Sequence, residues 1–76
     1  MTFGMALDAA RVAANVPLYL IYDALNLDGD AEYKMVVRGQ YKLSVYQKIM
    51  VFVVFESYRD AMRTLASLTS DSDFSD

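Results

Sequence analysis

Apolar residues recur along the first stretch of the chain at three- and four-residue spacing: Met5, Ala9, Val12, Ala13 and Val16. That period marks an amphipathic helix. Alanine, the best helix former, fills much of the rest, so a helix is predicted from about Phe3 to Ala14. Asn15-Val16-Pro17 interrupts it. Proline pushes the preceding residue out of the α region and suits the first turn of a new helix. A second helix is therefore predicted from about Pro17 to Asn26. Leu27-Asp28-Gly29-Asp30 reads as a turn.

The next stretch carries two periods at once. Tyr33, Met35 and Val37, then Tyr41, Leu43 and Val45, alternate with mostly polar neighbours, which is a strand signature. Tyr33, Val37, Tyr41, Val45 and Ile49 are also four apart, which suits a helix. Gly39 tips the choice towards strands, because glycine costs about 1 kcal/mol inside a helix while Arg38-Gly39 makes a tight hairpin turn. A β-hairpin is thus expected within residues 32–45. Ser44 and Gln47 then stand at capping-box spacing ahead of an apolar run. They predict a long helix from about Val45 to Leu68, roughly 36 Å at 1.5 Å per residue. Its first half, Lys48 to Phe55, is apolar nearly all round. Its second half is amphipathic, with Tyr58, Ala61, Met62, Leu65 and Leu68 opposite Arg59, Asp60 and Arg63.

The expected fold class is mainly α with one β-hairpin. It is a small three-helix domain over residues 1–68, helix-turn-helix-like, with a long C-terminal helix. Residues 69–76 are small, polar and acidic and are expected to form a disordered tail.

Composition narrows the chemistry. Seventy-six residues, 55% of them hydrophobic, suit one packed domain. The chain has neither histidine nor cysteine, which removes the commonest general base, the commonest metal ligand and all thiolate chemistry. An enzyme, a cofactor and a metal site are therefore not expected. Asp28-Gly29-Asp30-Ala31-Glu32 briefly resembles a calcium loop, but with Gly29 at loop position 6 the essential positions 1 and 12 fall on Ala24 and Met35. The longest apolar run, Ile49 to Phe55, is far short of the roughly 20 residues that span a bilayer. With no basic segment at the start, a cytoplasmic protein without membrane contact is expected.

Charge and aromatic content point to surfaces. The net charge of −3 hides a basic middle, residues 31–63, between two acidic ends. Within it, Lys34, Arg38 and Lys42 would decorate the hairpin, as a solvated edge that discourages strand pairing or as contacts for phosphates or an acidic partner. The run Ile49 to Phe55 needs partners around its whole circumference, and so short a chain has little to offer. Homodimerisation through Ile49, Phe52, Val53 and Phe55 is the expectation, a monomer that wraps this helix the alternative. Six tyrosines exceed what a small core absorbs. Tyr19 and Tyr22, with Leu18, are placed on the outer side of the second helix as a candidate partner-binding surface.

Residues 6–26, ALDAARVAANVPLYLIYDALN, resemble a helix-turn-helix. Arg38-Gly39-Gln40-Tyr41-Lys42-Leu43 is similar to the wing of small excisionase and MerR-type winged helix proteins. The resemblance covers residues 6–44 and implies a DNA-binding regulator, with Lys34, Arg38 and Lys42 on phosphates and Asn26 and Tyr22 near the groove. The second helix departs from that pattern. Bases are read by arginine, lysine, asparagine or glutamine, and residues 17–26 offer one asparagine and no basic side chain. Such a surface suits protein better. The expected function is a non-enzymatic protein-interaction module, a small regulator or inhibitor of the kind phages and viruses encode, docking on a larger protein partner. A winged helix-turn-helix transcriptional regulator that binds nucleic acid is the alternative.

Overall fold

Thr2 starts the first helix: its hydroxyl accepts a hydrogen bond from the Met5 N–H at 3.2 Å, satisfying one donor that the first turn leaves open. The computed structural model describes residues 1–69 of the chain, arranged as α1 (Phe3–Ala14), α2 (Leu18–Leu25), α3 (Asp30–Val37), α4 (Val45–Phe55) and α5 (Arg59–Leu68). Beyond Thr69, the expected acidic tail lies outside the described residues.

The first three helices end in the same way. Asn15 and Asn26 both sit at φ 57° and Gly39 at φ 78°, the left-handed conformation that asparagine and glycine tolerate best. At each end two backbone bonds close the last turn: Val16 N–H to Arg11 O at 3.0 Å, Leu27 N–H to Tyr22 O at 2.9 Å and Gln40 N–H to Met35 O at 2.8 Å are the longer-range member of each pair. The residue after each asparagine, Val16 or Leu27, is buried and anchors the turn in the core.

Gly39 corrects the expected hairpin. Among the described residues there is no strand; residues 30–37 form α3, and 38–44 connect it to α4. The glycine that argued against a helix lies just past its end, where a left-handed residue is favoured. Asp30 and Glu32 in the first turn suit the helix dipole, and Asp30 pairs with Lys34 one turn later at 3.1 Å. The four-residue spacing of Tyr33 and Val37 was therefore the relevant period.

The long C-terminal helix is also corrected. The expected capping box forms, with the Gln47 N–H donating to the Ser44 hydroxyl and the Ser44 N–H to the Gln47 side chain. The helix then stops at Phe55, and Tyr58, at φ −128° and ψ 87°, turns the chain before α5. A straight helix over residues 45–68 would be roughly 36 Å long, whereas the longest extent of the protein is 27 Å. Breaking it lets α5 lie along α1 while α4 packs on α2. The count is thus five helices rather than three.

Phe3, Leu7, Ala10, Val16, Ile21, Leu25, Val36, Val51, Phe55, Ala61 and Leu65 form one core. Where α1 crosses α3 the backbones nearly touch. A methyl built on Gly4 would overlap the Val36 carbonyl, so only glycine fits there.

Candidate functional site

A polar cluster ties the first three helices together. The cluster joins α1, α3 and the entry to α2. The Tyr33 hydroxyl donates to Asp8 Oδ1 at 2.6 Å, Arg11 Nε donates to the Tyr33 oxygen at 3.3 Å, and another Arg11 nitrogen reaches the Val16 carbonyl at 3.3 Å. Asp8 and Arg11 also pair directly at 3.4 Å. Burial pushes the Tyr33 phenol well above its usual range, and its hydrogen bond to Asp8 adds to the shift. Burial alone would weaken the Arg11 charge, but the contacts with Tyr33 and Asp8 outweigh it and the guanidinium pKa rises. The phenol is held neutral as a donor whose proton is already committed, which suits a clamp between helices rather than a general base. Among the described residues no cluster of acidic side chains could hold a metal ion.

The expected partner surface on α2 divides. Tyr19 stands 63% exposed. Tyr22 is half-buried, its ring edge-on to Tyr33 with centroids 6.0 Å apart, and Leu18 is half-buried against the core. Tyr22 is therefore not the exposed neighbour expected; it braces α2 against the polar cluster.

The basic set does not share a hairpin. Lys34 lies on α3 in its pair with Asp30, Arg38 caps the C-terminus of that helix, and Lys42 sits in the connection ahead of α4. Lys34 and Arg38 do line one shallow cavity of about 260 Å³, but Asp8 and Asp30 line it too, so it presents both signs of charge. The wing of the winged-helix resemblance is replaced by α3 and this connection.

The expected oligomer interface divides most sharply. Phe55 is fully buried in the chain's own core and is corrected from interface to core. Phe52 is half-buried, its ring 6.5 Å from that of Phe3. Ile49 and Val53 remain 48% and 50% exposed, joined by Val45 and by Tyr46 at 69%. Sequence reasoning missed Tyr46 as part of this surface. The only charge within α4, Lys48, points inward: it is 5% exposed, with its ammonium 5.6 Å from the centre of the Phe3 ring. The outer face of α4 therefore has no formal charge.

Among the described residues no helix is long and apolar enough to cross a membrane. Comparison of the chain with known protein families, with curated proteins and with solved structures returns no match.

Proposed function

We propose that the chain is a non-enzymatic protein-interaction module, a small regulator or inhibitor that docks on a larger protein through α2. Tyr19 carries the reading. It projects at 63% exposure from a helix whose other large apolar side chains, Leu18, Leu20, Ile21, Tyr22 and Leu25, all pack in or against the core. Asp23 and Asn26 follow at i+4 and i+7 and are exposed, so phenol, carboxylate and amide share one face. A protein with an apolar pocket for the ring and a basic rim for Asp23 complements it, since exposed tyrosines seated in such pockets dominate many interfaces.

The platform behind Tyr19 is stiff. Tyr22 lies against Tyr33, and Tyr33 is tied to Asp8 and Arg11, so little ordering remains to oppose binding. The test is affinity capture from the source cells with wild type and Tyr19→Ala, followed by identification of the retained proteins. Wild type should hold a specific protein that Tyr19→Ala loses while its melting curve is unchanged. Identical sets for the two would overturn the reading.

A further inference from the structure

A cavity of about 210 Å³ lies between the start of α1, the end of α3 and the connection that leads into α4. We propose that it binds a small carboxylate with an apolar body, the anionic head at Lys42 and Lys48 and the body against Phe3, Val36, Tyr41 and Leu43. All six residues line the cavity, and among the described residues no acidic side chain does. The cavity beside Tyr33, lined by both signs of charge, has no such preference for an anion.

Lys48 points to the charge of the ligand. The outer half of α4 is open to solvent, and a lysine stem is long enough to carry its charge out to water from most positions. This ammonium instead stays inside, on the wall of the cavity, with Lys48 5% exposed and Nζ 5.6 Å from the centre of the Phe3 ring. Burial of a charge is costly. A ring face offsets part of that cost, and a carboxylate seated in the cavity offsets more. Lys42 lines the same cavity from an exposed position, so a ligand meets one cation at the surface and one inside.

The remaining lining selects the body. Phe3, Val36 and Leu43 are buried and Tyr41 is half-buried, so most of the wall is apolar. Inorganic phosphate would lose hydration against that wall and gain nothing from it, whereas an apolar group gains by being buried there. Pockets for drug-sized ligands start at roughly 300 Å³. This one has room for about seven waters at roughly 30 Å³ each, which suits a single ring or branched chain, an acid such as phenylacetate. Two sources offer this chemistry: a free acid, or the chain's own Asp73-Phe74, which lies outside the described residues.

Amide NMR of the full, isotope-labelled chain, titrated with phenylacetate, tests the site. Saturable shifts should appear at Gly4, Gly39, Lys42 and Leu43, with Kd on the order of 1 mM for so small a ligand. Phenylethanol, which keeps the ring without the charge, and inorganic phosphate, which keeps charge without the ring, should each bind at least tenfold more weakly. Lys42→Gln should weaken phenylacetate about threefold, as loss of an exposed charge does, and Lys48→Met by more than tenfold. Lys42 is exposed, so its exchange leaves the fold intact and keeps the test decisive where Lys48→Met disturbs the core. Binding to wild type places a free acid in the cavity; binding only after Asp73→Asn with Phe74→Ala assigns the same chemistry to the chain's own carboxylate. No saturable shift in either protein overturns the site. So does phenylethanol or phosphate binding as tightly as the acid at the same amides, or a Lys42→Gln that matches wild type. Tyr19→Ala should bind phenylacetate as wild type does, so this site and capture through Tyr19 fail separately.

Discussion

Helices α1 and α4 have 12 and 11 residues and both are strongly apolar, yet the fold uses them in different ways. On α1 the small residues and the charges have assigned neighbours, while Met5 and Val12 stand exposed. Its small residues, Gly4, Ala6 and Ala10, are buried and let α3 and α5 approach, and its two charges, Asp8 and Arg11, are taken up by Tyr33. On α4, Val51 and Phe55 enter the core and Lys48 folds inward over Phe3, while Tyr46, Ile49 and Val53 face away from it. The packed side of α1 is the one with the small residues and charges, not the one its apolar spacing of Met5, Ala9, Val12 and Ala13 marks, which is exposed. A helix apolar on every side is divided only by what surrounds it, and its unused half remains available to another molecule.

Gly4→Ala should disturb the comparison most. The added methyl meets backbone, which cannot rotate away, so α1 must shift from α3. Overpacking of this type costs about 3 kcal/mol, enough to lower the melting temperature by roughly 15 °C in a domain of this size. A calorimetric scan matching wild type would show that the helices do not approach as closely as described.

Tyr33→Phe should be milder and dependent on pH. It removes the hydroxyl shared by Asp8 and Arg11, at a cost of about 1–2 kcal/mol near neutral pH. The folded state holds the phenol pKa above its ordinary value of 10.0, so folding favours the protonated form. That contribution is fully present below the unfolded pKa and is lost as pH rises through the folded one. Denaturant titrations from pH 8 upward should show wild type losing stability above about pH 10 more steeply than Tyr33→Phe. Parallel curves for the two proteins would remove the clamp from the account.

The legible parts of the fold are those where residue type and local backbone demand coincide. Apolar spacing and alanine content located α1 but marked its exposed side, Met5, Ala9, Val12 and Ala13; Asn15 located its end, and the Ser44–Gln47 box the start of α4. Gly39 was misleading because glycine serves equally well in a hairpin turn and just past a helix end, and sequence spacing alone does not separate the two. The stop after Phe55 had no local signal: Glu56-Ser57-Tyr58 contains neither proline nor glycine, and the break follows from the small size of the domain. The candidate surfaces divide along the same line. Tyr19 was readable as a tyrosine on a helix with one packed side. Tyr46 was not, and Phe55 was placed on the wrong side, because in an unbroken apolar run the 3.6-residue period has no polar positions to fix its phase.

The division of α4 into a core face and a free face is the central claim, and two substitutions two residues apart test it most directly. Val51→Glu and Ile49→Glu insert the same side chain, one that favours helix formation, into the same helix. Thermal unfolding is measured for both at the same low protein concentration. Val51, with no exposed surface, should unfold the domain or cost about 4 kcal/mol, because the carboxylate is buried without a partner. Ile49→Glu should stay within about 0.5 kcal/mol of wild type, as an exposed substitution does. Equal losses at the two positions would contradict the account, since both sides of α4 would then belong to the core.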